Sequence, residues 1–584
     1  MGAVKNKKKP VWHDFIHLVR QVRLPWLLIA AAFALNLGRA VIALKIPEKI
    51  ADITAVDPSG GSSAVAVAGL ICLTLFLLAL LEFVGGLIAT YVTYLAKAGI
   101  DRDFQKTALE KVFRLQTTDV EERDPKEFIS RITTDTEFIS EFLIDLMVNE
   151  IPRLYFIIST LIKASQLGNG SLILAFLLVI PVIVIGSLWS GSVSFKAQSQ
   201  VQNAVAALTA KLAEKVGHVE TVKAYNMTEA EISEGDISID EMKAAQKKTT
   251  RAAAFNTLIS NILFIVPTLI IALTGASALL SGSVTVQQFI TYFGLGSTYQ
   301  TYIAEHLTLW VLAKKAQGAT SRVSEMLLLP DETGGTGKAE GAGTLEFRNV
   351  CFSYGNKTIL SDLSFTIEPG TKTAIVGRSG AGKSTILNLI EQFYRPDSGS
   401  ILLDGREISG YEIRQYRDLF SYLPQNAPGF SGTVRDMMVY GSKKTHTDEE
   451  LQELLNRVGM AESIAELGGL DYEVGTNASR LSGGQRQRLA VARMLLQDGK
   501  IVLADESTSA LDMEGAGKIS KLIDTYAGDK TRVIVSHHLS VVEDADQILV
   551  IDGGRLADHG THEELIRRCE AYRALLKEGK EEDR

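Results

Sequence analysis

Stretches of apolar residues about as long as a bilayer core is thick constrain this chain more than any other feature. Leu24 to Leu44, Val65 to Leu95, Ser171 to Leu188 and Phe255 to Leu280 are each apolar with few interior charges, and ~20 such residues in a helix cross the hydrocarbon layer. Two further segments are weaker. Leu143 to Leu167 holds Asp145, Glu150 and Arg153, and Thr285 to Leu312 is rich in Tyr and Gln. Six spans return the chain to its starting side, and polar spans are expected where helices line a wet cavity. The short connections around Ile46 to Ser62, Ser165 to Gly170 and Ser281 to Val284 hold almost no basic residues, whereas Lys97 to Arg131 and Lys196 to Arg251 hold many. Basic loops stay inside, so both termini are expected in the cytoplasm. Within the inner connections Val205, Leu208, Leu212, Val216 and Val219 recur at helical spacing, so Val205 to Lys223 reads as continuous helix.

Before the first span, Val11 to Leu24 places Trp12, Phe15, Ile16, Leu18, Val19 and Val22 among His13, Arg20 and Arg23. This amphipathic pattern suits a cytoplasmic helix over residues 1–23 lying along a membrane surface. No cleaved targeting segment is read there. Lys and Arg number 60 against 68 Asp and Glu, a formal charge of -8 that lacks the basic excess of a nucleic-acid binder. Cys72, Cys351 and Cys569 are too far apart in sequence to form a metal cluster.

Composition breaks at Pro330 to Gly343, where five glycines sit among small and charged residues. This reads as a flexible linker between a membrane domain over 24–329 and a second domain over 344–584. From Thr344 on, strand-like runs such as Thr373 to Val376, Ile501 to Leu503 and Arg532 to Val535 alternate with helical patterns. That alternation predicts an α/β domain with a mainly parallel sheet.

Gly377, Arg378, Ser379, Gly380, Ala381, Gly382, Lys383 and Ser384 fit the phosphate-binding pattern G-x-x-x-x-G-K-[ST], between a strand and a helix that continues with Thr385. Backbone NH groups of such a loop turn inward on phosphates, the lysine adds a point charge and the serine a Mg²⁺ ligand. The strand Ile501 to Ala504 ends in Asp505 and Glu506. Beside a phosphate loop, Asp505 suits holding Mg²⁺ and Glu506 suits deprotonating the attacking water. Between them, Leu481, Ser482, Gly483, Gly484 and Gln485 open a helix and form a second anion site.

Loop, carboxylates and the Ser482 string, in this order, resemble the ATP-binding-cassette family, and the first half resembles the six-helix membrane domain of its exporter-type half-transporters. The resemblance implies ATP and Mg²⁺ as cofactors, hydrolysis coupled to transport, and a second half-transporter whose ATP contacts Ser482, Gly483, Gly484 and Gln485. It further implies that Tyr354 stacks on adenine, that Gln425 contacts Mg²⁺ and the membrane domain, that Asp512 is the aspartate after Ser509, Ala510 and Leu511, and that His537 reaches the γ-phosphate. His538 departs from the arginine often found there. Phe128 to Asp135 and Glu220 to Tyr225 resemble the inner-loop patterns around the helices that dock on cassettes. Intact Glu506, Ser482, Gly483, Gly484 and His537 favour a homodimer over a heterodimer.

The implied function is an ATP-driven exporter in a bacterial plasma membrane, moving an amphipathic, drug-like or peptide-like cargo. Importer, lipid flippase and ATP-gated channel use the same architecture. At ~100° per residue, Gln288, Tyr292, Tyr299, Tyr302 and His306 share one stripe of the sixth span, expected to face the cargo cavity, with interfacial anchoring or helix packing as the alternative. Arg153 is expected to join that cavity and favour anionic or zwitterionic cargo, with the alternative that its neighbours Asp145 and Glu150 simply sit at the inner interface.

Overall fold

The computed structural model describes residues 11–56, 59, 61–339, 341, 343–505, 513–536 and 542–582. The chain divides into two units, Met1–Phe113 with Asp124–Leu329, and Arg114–Arg123 with Pro330–Arg584.

The first unit is helical. A short helix, α1 (Val11–Gln21), precedes α2 (Trp26–Thr54) and α3 (Gly61–Val112). After α4 (Thr117–Glu121), which belongs to the second unit, a long helical run begins. It comprises α5 (Pro125–Ser130), α6 (Thr136–Ile144) and α7 (Glu150–Gln166), joined by π-helical turns at Arg131–Asp135 and Asp145–Asn149. Then come α8 (Gly170–Gly217), the one-and-a-half-turn α9 (Val219–Ala224), α10 (Thr228–Leu280) and α11 (Val286–Leu328). Among the described residues, four helices meet the length and hydropathy of a membrane span: Trp26–Thr54, Gly61–Val112, Gly170–Ser187 and Thr228–Leu280. They coincide with the four stronger apolar stretches, and the two weaker ones are the α6 to α7 run and α11. The fold is thus a six-helix membrane domain with an α/β partner, as the sequence predicts.

Two local expectations change. The inner connection read as one helix breaks at His218, whose φ of -117° leaves the helical region before α9 begins. And α1 does not turn its apolar face outward. Phe15, Leu18 and Val22 are buried in a cluster with Phe142, Leu143, Ala316 and Val323, and Trp12 and Phe15 each lie against the Phe142 ring. Only Trp12 and Ile16 of that face stay exposed, because α6 and α11 offer a closer apolar surface.

Each π-helical turn inserts a residue, rotating the downstream helix by ~100°. Asp135 and Asp145 sit in these turns and reach side chains of other segments. Asp135, buried, accepts from Arg322 Nε of α11 at 2.9 Å. Asp145 accepts from Arg153 at 2.8 and 3.0 Å. Asp135 thus ties its turn to α11.

The second unit carries two sheets. An antiparallel one has the order β2-β1-β4-β5, from β1 (Leu345–Tyr354), β2 (Lys357–Ile367), β4 (Ser398–Leu403) and β5 (Arg406–Glu407). The other has the order β10-β9-β3-β8-β7-β6. Its strands are β3 (Lys372–Val376), β6 (Phe420–Leu423), β7 (Ile501–Asp505), β8 (Thr531–Val535), β9 (Gln547–Asp552) and β10 (Arg555–Gly560). All its pairings are parallel except β10 with β9. The three apolar runs of the sequence become β3, β7 and β8, whose residues are nearly all buried, as strands covered on both faces must be. The glycine-rich segment from Pro330 is not loose where described. Glu332 pairs with Arg417 at 2.6 Å, and Gly337 exchanges backbone hydrogen bonds with Gly410 and Glu412.

Helix α12 (Lys383–Ile390) follows β3 and is succeeded by Glu391, 4% exposed, whose carboxyl burial pushes up to about 7 against the opposing pull of Arg417. An unfolded glutamate titrates near 4.5. The native chain therefore holds this proton when the unfolded chain has lost it, and the stability it contributes is full below the unfolded value and lost as pH rises through 7. Glu391→Gln should raise the melting temperature at pH 8 and leave it nearly unchanged at pH 4.5. A series of thermal melts across that range checks this, and a pH-independent difference between the two proteins would contradict it.

Candidate functional site

In the second unit the site is built at the carboxyl ends of three interior strands of the parallel sheet. Ile375 of β3, Val535 of β8 and Asp505 of β7 stand in one row across the sheet. With strands ~4.8 Å apart, the β3 and β7 backbones lie about 10 Å from each other at this row, which leaves the Gly377 loop and Asp505 at the same end of the sheet with one strand between them. Loops at the carboxyl ends of parallel strands are where such sheets bind ligands.

The loop from Gly377 wraps its own lysine. Lys383 Nζ, buried, donates to the carbonyls of Gly377 at 2.8 Å and Arg378 at 3.1 Å. Arg378, Ser379 and Gly380 stand exposed at the crest, while Ala381, Gly382 and Thr385 are buried and Ser384 is half-buried. Gly382 N-caps α12 at φ +98°, and a Cβ there would lie 2.6 Å from Leu360 Cδ2. Only glycine fits. Asp505 is buried at the end of β7, and burial, with the Asp505 charge next, pushes the Tyr422 phenol of β6 up. Gln425, two residues after β6, is exposed.

Ser482 N-caps the helix Gly483–Leu496 through a reciprocal box. Its hydroxyl accepts from Gln485 N at 3.2 Å, and Gln485 Oε1 accepts from Ser482 N at 2.9 Å. Ser482 and Gly483 are exposed, and Gly484 and Gln485 half-buried, so this helix N-terminus is open to an anion from outside the chain. Glu506, Asp512, His537 and His538 lie outside the described residues.

Tyr354 ends β1, 38% exposed, its ring edge-on to Phe352 and to Tyr394. It borders a cleft of about 420 Å³ whose other wall is α4 with Glu121 and Glu122. Tyr394 Oη donates to Glu121. Burial, then that carboxylate, pushes the Tyr394 phenol up, which keeps it a donor. Sequence reasoning missed this cleft, because its walls come from segments more than 200 residues apart.

In the membrane unit the tyrosine stripe of α11 is divided between packing and cavity. Tyr292 and Tyr299 are buried, pack edge-on against Phe176, and donate to the carbonyls of Leu172 and Phe176. Gln288 closes the capping box of α11 with Thr285. These three are corrected from cavity-lining to structural, since the stripe meets α8 there. His306 pairs with buried Glu150 at 2.5 Å. Only Tyr302 and Arg153 line a cavity, of about 640 Å³, with Asn36 and Arg39 of α2, Thr90 and Tyr94 of α3, Phe264 of α10, and Ser297, Thr301 and Glu305 of α11.

A run of hydrogen bonds follows the wall of this cavity. Arg39 donates to Glu82 at 3.0 Å and to Asn36, Asn36 to Asn149, Asn149 to Asp145, and Arg153 to Asp145 and Glu305. Arg153 is therefore already enclosed by carboxylates, which removes the reason to expect anionic cargo from it. Arg39 and Glu82, missed as site residues, had a legible signal as ionisable groups inside otherwise apolar spans.

Two family models match the chain, "ABC transporter" over residues 360–509 and "ABC transporter transmembrane region" over residues 28–302. Similar proteins include the ATP-dependent lipid A-core flippase of Vibrio vulnificus, 30% identical over 98% of this chain and 98% of its own length. That of Xylella fastidiosa is 28% identical over 97% and 96%. Among solved structures, a bacterial Atm1-family ABC exporter with ATP bound superposes with a TM-score of 0.78 at 24% identity, covering 97% of this chain and 99% of that one, a likeness of fold.

Gly382→Ala should weaken binding of a fluorescent ATP analogue about tenfold or more, since the added carbon strains a left-handed residue and strikes buried Leu360. Affinity within about twofold of the parent, measured by titration, would show that the loop tolerates the change and does not cradle phosphate.

Proposed function

The chain belongs to the ABC transporter family as an exporter-type half-transporter that couples ATP hydrolysis to transport, and we propose that two copies move an amphipathic lipid-like solute across a bacterial plasma membrane. The observation that carries the cargo reading is the polar, charge-networked cavity of the membrane unit, which suits a headgroup with an apolar tail left among the surrounding helices. Relatives named flippases that match over nearly the whole length support lipid over a soluble drug or peptide. The basic inner connections support cytoplasmic termini and a cytoplasmic ATPase.

In this reading Lys383 and the loop NH groups hold the phosphates and Tyr354 stacks on the base. Ser482, Gly483, Gly484 and Gln485 of one copy close over the nucleotide of the other. The buried Asp505, Ser384 at the head of α12 and the exposed Gln425 are the right donors for Mg²⁺, and would hold it. Mg²⁺ held there would supply positive charge against the phosphates of the nucleotide. Glu506 takes the proton of the attacking water, and His537 orients the γ-phosphate. ATP drives alternation because the outward-facing dimer buries two nucleotides that the inward-facing one leaves half-exposed. A population shift from 1:99 to 99:1 needs about 10⁴-fold preference, shared between the two sites.

Glu506→Gln should lower steady-state hydrolysis by roughly 10²- to 10⁴-fold while ATP still binds. A phosphate-release assay beside a binding titration checks both, and turnover within about threefold of the parent would sink the assignment. For cargo, protein reconstituted in vesicles should transfer a fluorescent phospholipid between leaflets only with hydrolysable ATP. Equal transfer without ATP, or none with it for any lipid tried, would refute the flippase reading.

A further inference from the structure

The polar network of the membrane unit carries more negative than positive charge. Glu82, Asp145, Glu150 and Glu305 meet two guanidiniums, Arg39 and Arg153, and one imidazole, His306. Among the described residues, four carboxylates thus share at most three cationic groups, and one of them is less compensated than the rest. Geometry identifies which one. Asp145 takes two nitrogens of Arg153 at 2.8 and 3.0 Å, Glu82 takes Arg39, and Glu150 takes His306. Glu305 is left with the Arg153 Nε alone, at 3.1 Å, and its side chain is 46% exposed on the cavity wall.

A carboxylate that shares its one guanidinium with two others gains from a further positive charge brought to its exposed side. The same wall carries the rings of Tyr94, Phe264 and Tyr302, whose faces attract cations. Tyr302 lies within electrostatic reach of Arg39, Glu82, Arg153 and Glu305, so rings and charges surround one space.

We propose that this cavity receives its cargo through a cationic group, with Glu305 as the carboxylate partner and the rings of Tyr94 and Tyr302 beside it. The assignment rests on the amphiphile-transporter reading and reverses the charge preference that Arg153 alone suggested. An amine or quaternary ammonium on an amphiphile supplies that further charge, and a zwitterionic head can do so with its ammonium end. A purely anionic head adds to the excess.

Matched probes test this in the reconstituted full-length protein. Hexadecyltrimethylammonium and hexadecyl sulfate, each below its micellar concentration, share a chain and differ in head charge. The ammonium should stimulate ATPase over each protein's own basal rate, and the sulfate should not. Glu305→Gln should raise the half-maximal concentration of the ammonium about tenfold or more, the loss expected for one charge-assisted contact, and Glu305→Asp should restore most of it. Stimulation by the sulfate alone, or by both equally, would overturn the cation assignment while leaving an amphiphile transporter. An unshifted response in Glu305→Gln would also overturn it. Stimulation by neither probe overturns it as well. Coupled with no lipid transfer in vesicles, that result would remove the amphiphile reading too.

Discussion

The membrane unit is organised around the cost of placing ionisable side chains among apolar helices. A charge there is tolerated when it is paired and its remaining donors are met. The helical run from Pro125 to Gln166 holds Arg131, Asp135, Asp145, Glu150 and Arg153, and each finds an opposite charge, several of them on α11. The partners fall at two levels of α11, near Glu305 and His306 and again near Arg322 and Glu325. Two helices tied at both levels resist sliding past each other. The π-helical turns make this possible, because a regular helix would rotate Asp135 and Asp145 off the faces on which they now lie.

The cavity arises from the same constraint. Polar groups that must be paired within the bundle leave a seam where helices cannot close tightly with apolar side chains. Along that seam Arg39 lies over α3, where a Cβ at Gly86 would come within 3.2 Å of its guanidinium. A small residue there lets the planar group rest against the helix and reach Glu82. The network is thus both what holds four segments together and what a passing headgroup meets.

Legibility in the sequence tracks how local each feature is. The phosphate loop spans eight consecutive residues between a strand and a helix, and its conformational demands, such as the left-handed Gly382, are written into residue type. The parallel strands were legible for a similar reason, since burial on both faces leaves continuous apolar runs. The cavity was legible only in outline. Helical periodicity groups Tyr292, Tyr299 and Tyr302 on one face but is silent about the neighbour that face meets. Here Phe176 of α8 takes the first two, and only Tyr302, further along, clears it. Likewise the apolar face of α1 was plain, and its burial against Phe142 was not.

Charge balance shows the same limit more sharply. Arg153, read alone in an apolar span, signals a positive cavity. Its nearest compensating groups are eight residues before it and 152 after it. Asp145 and Glu150 lie close to it in sequence, but the third carboxylate, Glu305, comes from another helix and leaves carboxylates in the majority around Arg153. In a helical bundle the net charge of a cavity is a property of facing helices, so a single intramembrane ion marks where a polar site lies but does not fix the sign of what binds there. The sign emerges only when every group facing that ion has been counted.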